Sequence, residues 1–183
     1  MSVLSEANSN PYLKAHGLDL VDWRPWESAT IVEAKELGKP ILLSIGFLGS
    51  SGCKTMLKES FFNESTAEII NSSFFPIKVD KDSQPEIAKT YQIALQFLTR
   101  NPTGWPLTVF LDPENLMPFF GGTFFSEHAS QEVPAFSDLL LRITKSFEDQ
   151  KKELAAQTLQ LSETLAQLEI PQEDPRFTDD ALL

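Results

Sequence analysis

An alternation of buried-strand runs with helical segments constrains this chain more than any other feature. Ile41-Leu42-Leu43-Ser44-Ile45 reads as a buried strand, and Phe74-Phe75-Pro76-Ile77-Lys78-Val79-Asp80 makes a second. Ahead of the first, Ser28 to Leu37 places Ile31, Ala34 and Leu37 at helical spacing, and Gly38-Lys39-Pro40 stops that helix. After the small-residue loop Gly46 to Gly52, Cys53 to Phe62 has a helical pattern, and a further helix follows from Ser65, with Glu68 completing a capping box. Ser83-Gln84-Pro85-Glu86 supplies a cap, an early proline and a Glu three residues on, opening a helix that is expected to bury Ile87, Tyr91, Ala94 and Leu98.

Asn101 to Gly104 is a loop. Leu107 to Leu111 and Met117 to Phe120 flank the turn-rich Asp112-Pro113-Glu114-Asn115, which suits an antiparallel hairpin. From about Glu132, Phe136, Leu140, Ile143, Phe147, Leu154, Leu161, Leu165 and Leu168 keep three-and-four spacing over many turns, so a long helix packs across the domain or against another polypeptide. The segment from Asn10 to Trp26 is irregular and aromatic and is expected to cap one edge of the domain. The division that follows is an N-terminal aromatic extension at 1–27, a core at 28–130, a long C-terminal helix at 131–170 and a linker or tail at 171–183.

Charge and cysteine usage remove several function classes. With 26 acidic and 15 basic residues among 183, the formal charge is -11, which repels phosphate backbones and anionic lipid, so neither nucleic acid nor membrane is an expected partner. A single cysteine leaves no intrachain disulfide and no all-cysteine metal site, and it suits a reducing compartment such as the cytoplasm. Neither a secretion-type start nor an apolar run long enough to span a bilayer stands in the sequence, and no metal or cofactor is expected.

The order strand, small-residue loop, Cys at a helix start, helix, strand, helix, strand and hairpin is the thioredoxin order, an α/β fold with a central mixed sheet and flanking helices. Trp105-Pro106, opening a strand, fits the proline that faces the thiols in such a site, where extended backbone pairs with a substrate peptide. Many ordered stretches carry a more specific resemblance. They include Asn10-Pro11-Tyr12-Leu13 with His16, Val21-Asp22-Trp23 with Pro25-Trp26, Leu43-Ser44-Ile45-Gly46, Glu59-Ser60-Phe61, Ile77-Lys78-Val79-Asp80, Gly104-Trp105-Pro106-Leu107 and Phe119-Phe120-Gly121-Gly122-Thr123. On these, Asn10 to Phe125 resembles the thioredoxin-like N-terminal domain of the spermatogenesis-associated thioredoxin-domain proteins and their bacterial relatives. In that family the loop usually reads Cys-His-Trp-Cys-His, whereas this chain has Ser50, Ser51, Gly52, Cys53 and Lys54, and Leu18 and Leu20 stand where the family tends to carry a histidine and a proline. The resemblance implies thiol redox work or protein quality control, and many members continue into a large helical domain resembling glycosidases or sugar epimerases.

Ser50 cannot replace a nucleophilic thiolate, since an alkoxide is inaccessible near neutral pH without a partnering base, and His16 and His128 are both remote in sequence. Cys53 is the candidate catalytic residue, acting as a monothiol that forms a mixed disulfide with glutathione or a protein thiol without resolving it. Ser50, Ser51, Gly52, Trp105 and Pro106 are the candidate substrate-binding residues. Against this stands a buried, structural Cys53 in a non-enzymatic interaction module that docks a partner polypeptide or a downstream domain, or in the N-terminal domain of a larger sugar-active or quality-control protein. Asp22 and Asp80, near strand ends, receive no catalytic role.

Overall fold

The structure, a computed structural model, describes residues 10–129 and 134–149, together with positions 153, 154, 156, 157, 160–163 and 166. Its frame is a five-stranded sheet of β1 (Arg24–Pro25), β2 (Ile41–Gly46), β3 (Phe75–Asp80), β4 (Leu107–Leu111) and β5 (Pro118–Gly122), ordered β1-β3-β2-β4-β5. β3 runs parallel to both β1 and β2, while β4 is antiparallel to β2 and to β5. The sheet is therefore mixed, and with helices on both faces the chain has a thioredoxin-like fold.

Strand periodicity sorts the core into two layers. Ile41, Leu43, Ile45, Ile77, Val79 and Val109 meet Ala34 of α2 (Ser28–Leu37) and Ala88, Tyr91 and Leu95 of α5 (Pro85–Thr99). On the opposite face Leu42 and Phe110 meet Met56 of α3 (Ser51–Met56), Phe61 in the widened π-type turn Leu57–Phe61, Ile70 of α4 (Glu64–Ser73) and Phe136 and Leu140 of α6 (Phe136–Asp149). With both faces covered, β2 and β3 are buried at every position, so these runs carry no polar alternation.

Several local expectations are corrected. The aromatic start is not irregular: Asn10 Oδ1 accepts from the N–H groups of Tyr12 and Leu13 and caps α1 (Pro11–Ala15), with Pro11 at the first helical position. Asn10 Nδ2 also donates to Asp80 Oδ2 at 2.6 Å, tying α1 to the end of β3. After the 3-10 turn His16–Leu18, β1 adds to the edge of β3, so this segment does cap one side of the sheet. α4 begins at Glu64, capped by Asn63, whose Oδ1 accepts from Thr66 N at 2.9 Å, rather than at a Ser65 cap. Ser83 is not the cap of α5 either, because its hydroxyl is spent on Asp80 Oδ2 in the turn after β3.

Leu98 is exposed together with Ile93 and Phe97. It is in phase with the buried stripe of α5, but the helix's last turn is left uncovered. α6 buries Phe136, Leu140, Ile143 and Phe147, as its spacing requires, but starts at Phe136 rather than at 131. Most of the expected continuation to 170, and all of 171–183, lies outside the described residues.

Candidate functional site

The loop after β2 enters α3 through Ser50, whose Oγ accepts from Cys53 N–H at 3.2 Å and caps the helix. Ser50 is thus a structural cap, 8% exposed, and Ser51 is exposed beside it. Gly52 lies against the loop before β4: a Cβ there would sit 2.9 Å from Trp105 O and 3.0 Å from Pro106 Cδ. The Trp105–Pro106 peptide bond is cis. Trp105 is half-buried with Lys81 Nζ 5.9 Å from its ring centre, and Pro106 is buried. Ser50, Ser51, Gly52, Trp105 and Pro106 are therefore brought together.

Cys53 turns the other way. It is 4% exposed, and its Sγ approaches Gly46, where a Cβ would meet Cys53 Sγ at 2.5 Å and Tyr12 Oη at 2.4 Å. Only a glycine at 46 lets the thiol and the phenol meet over the strand. Tyr12, 4% exposed, makes no hydrogen bond of ordinary geometry at Oη among the described residues, although the Cys53 thiol lies against it. Burial first, and the neighbouring Cys53 second, hold this phenol's pKa well above its ordinary value.

Beneath these two groups is a buried polar cluster that composition and motif reasoning do not reveal. Ser44, Lys78 and Thr108 form one cross-strand row, since Ser44 pairs with Lys78 on β3 and with Thr108 on β4. Lys78 Nζ donates to Ser44 Oγ at 3.0 Å and lies 4.4 Å, 4.5 Å and 5.7 Å from the ring centres of Phe61, Trp23 and Tyr12. Burial lowers the pKa of Lys78, opposed in part by Asp19 and Cys53. Asp19 Oδ2 accepts from Trp23 Nε1 at 2.8 Å and pairs with His16 Nδ1 at 2.9 Å. Burial raises the pKa of Asp19, offset by Lys78 and by Trp23. Burial and then Lys78 push His16 down to about 2, so its imidazole is neutral and shares a hydrogen bond with Asp19 through Nδ1.

His16 and Cys53, remote in sequence, line one small crevice of about 40 Å³ with Tyr12, Ala15, Phe47, Leu48, Lys54 and Leu57. The sequence signal for the cluster was a lysine inside an otherwise apolar strand, where its side chain has no route to water. His128 is exposed, Asp22 is exposed, and Asp80 organises the turn after β3 by accepting from Asn10, Ser83 and Asp82 N. Among the described residues no group of three or more His, Cys, Asp or Glu could hold a metal ion, and no helix is long and apolar enough to cross a membrane.

A family model, Thioredox_DsbH, described as a protein of unknown function, DUF255, matches residues 2–166. The chain belongs to this family. Curated relatives of this Thioredox_DsbH chain include spermatogenesis-associated protein 20 of Homo sapiens, 37% identical over 145 residues, covering 79% of this chain and 18% of that protein. Another is the uncharacterized protein B0495.5 of Caenorhabditis elegans, 36% identical over 156 residues, covering 85% of this chain and 21% of that protein. The chain thus spans about a fifth of the length of the curated relatives it matches. Similar solved structures include a disulphide isomerase from Xylella fastidiosa Temecula1, at TM-score 0.48 and 20% identity, covering 63% of this chain and 86% of that one. A thioredoxin from Thermus thermophilus is similar at TM-score 0.49 and 19% identity, covering 69% of this chain and 88% of that one. Membership of Thioredox_DsbH places the chain among thioredoxin-like domains of thiol-disulfide oxidoreductase-like type in general terms.

Proposed function

We propose that the chain is a thioredoxin-like domain that docks an extended polypeptide segment across Ser50-Ser51-Gly52 and Trp105-Pro106, with its exchange chemistry reduced to what one thiol can do. The observation that carries this reading is the approach of Gly52 to the Trp105 carbonyl, 2.9 Å from where a Cβ would sit, beside a motif whose first position is Ser50. The docking face of a dithiol site is present and its outer nucleophile is replaced. Cys53, at the inner position, attacks a disulfide, forms a mixed disulfide with one half of it and releases the other half as a thiol, and the chain has no second cysteine to resolve the bond. Such a mixed disulfide persists until an external thiol resolves it, which fits work in the reducing cytoplasm as a holding rather than a turnover reaction.

A purely non-covalent docking module is the second reading, favoured by the 4% exposure of Cys53. Restoring the missing thiol tests both the face and the chemistry. Ser50→Cys should form a reversible intramolecular disulfide and catalyse dithiothreitol-driven reduction of insulin, while the unaltered chain should not. A Ser50→Cys protein that folds, forms the disulfide and still leaves insulin untouched would sink the docking face.

A further inference from the structure

Cys53 opens onto a space that the docking face does not share. The crevice lined by Tyr12, Ala15, His16, Phe47, Leu48, Cys53, Lys54 and Leu57 contains none of Ser50, Ser51, Gly52, Trp105 or Pro106. Its walls are mostly hydrocarbon and aromatic, and the buried Tyr12 hydroxyl, with no other partner among the described residues, lies against the cysteine sulfur within it. A buried hydroxyl that donates to nothing else is costly to leave unsatisfied, so an acceptor at that point has a ready donor. The Cys53 thiolate, or a disulfide sulfur joined to it, is such an acceptor.

We propose that Cys53 is a site for small uncharged disulfides, reached through this crevice rather than from the peptide face, with Tyr12 as the positioning residue that hydrogen-bonds its sulfur. This rests on the reading of Cys53 as an exchange thiol and names its substrate class. Size supports it: the crevice holds about 40 Å³, against roughly 10–15 Å³ for one water on a comparable measure, which suits a methylthio or ethylthio group and excludes a tripeptide. Charge supports it as well, because anionic disulfides approach a chain of formal charge -11.

The chemistry balances without any further reagent. Cys53 loses its proton to solvent, Sγ attacks one sulfur of the disulfide, the new Sγ–S bond forms and the old S–S bond breaks. The leaving thiolate departs with the electron pair and takes a proton from water, so the disulfide is the oxidant and Cys53 the group oxidised. Tyr12 keeps its proton throughout and serves only as donor.

The test compares dimethyl disulfide with glutathione disulfide on the full chain, following Cys53 modification by intact mass in folded and in urea-unfolded protein. Folding should raise the preference for dimethyl disulfide by about tenfold or more. Tyr12→Phe should slow the folded reaction about tenfold and move its pH profile upward by about one unit. Ala15→Trp, placed at the exposed mouth, should slow it in folded protein alone. If folding leaves the preference unchanged, or Tyr12→Phe changes neither rate nor pH profile, the inference is overturned while insulin reduction by Ser50→Cys still supports the docking face. If neither disulfide modifies folded protein, the exchange role of Cys53 falls together with this site.

Discussion

At Lys78 a primary amine is held inside the sheet with a serine hydroxyl and three aromatic faces for company, and no carboxylate within ion-pair distance among the described residues. Its pKa falls from 10.5 to about 7 in the folded chain. Between those values the unfolded chain binds the extra proton, so stability rises as pH rises. Two groups act on the acid side instead. Lowered to about 2, His16 makes stability rise up to its ordinary value of 6.5, while Asp19, raised from 3.8 to about 7, makes it fall over that range. Their effects oppose one another, which leaves the alkaline limb clean up to about pH 10, where the unfolded chain's tyrosines begin to ionise. The urea midpoint should therefore climb between pH 7 and 9.5, by a stability of a few kcal/mol at about 1.4 kcal/mol per displaced pKa unit. Lys78→Met should flatten that climb and be the more stable protein at pH 7, since a buried amine with no carboxylate in ion-pair contact is replaced by a similar apolar volume. A midpoint that climbs equally in both proteins would remove Lys78 as the cause.

Gly52 offers a second check at the same scale. A methyl group there meets the Trp105 carbonyl and the Pro106 ring, neither of which is the free end of a flexible chain. Gly52→Ala should cost about 1–3 kcal/mol by overpacking, and its near-UV circular dichroism should change as Trp105 is displaced. An unchanged spectrum with unchanged stability would show that the two loops are not in contact.

Among the elements, legibility followed the side of the physics that one sequence window contains. β2 and β3 were readable because both faces are buried and their runs are almost purely apolar, and the β4–β5 hairpin because Asp112 to Asn115 carry turn chemistry. Caps were misread where two candidates stood close together: Asn63 takes the role given to Ser65, its Oδ1 accepting from Thr66 N while its Nδ2 donates to Glu127 across the fold. No window holds both partners of that bond, and the same is true of the site. Tyr12, Gly46 and Cys53 converge from α1, β2 and α3, so their juxtaposition was invisible, as was the pairing of Ser44 with Lys78. Asn63→Ala should cost about 1 kcal/mol as a lost cap, and Phe136→Ala, whose ring stacks on Phe125 at 5.3 Å, about 3–5 kcal/mol as a core cavity. Chemical denaturation ranks the two, and a reversed order would mean that α6 contributes little to the described core.

Across the whole molecule 26 acidic residues outnumber 15 basic ones, which gives the formal charge of -11. Ion pairs among the described residues, such as Arg24–Glu33, Lys35–Glu114 and Lys81–Asp82, are partly or largely exposed and worth little individually. Self-repulsion among carboxylates therefore dominates the long-range electrostatics and opposes the compact state. Raising sodium chloride shortens the screening length from about 10 Å at 0.1 M to about 3 Å at 1 M, which weakens that repulsion more than it weakens the few contacts in close pairs. The thermal midpoint at pH 7 should rise between 20 mM and 500 mM salt, by a few degrees if about 1 kcal/mol of repulsion is relieved in a chain of this size. Sodium chloride is the right choice because sulfate would strengthen apolar burial on its own account. A midpoint that falls instead would mean that close ion pairs, rather than the net charge, govern stability, and the same charge would then be a poor guide to which disulfides and polypeptides the domain admits.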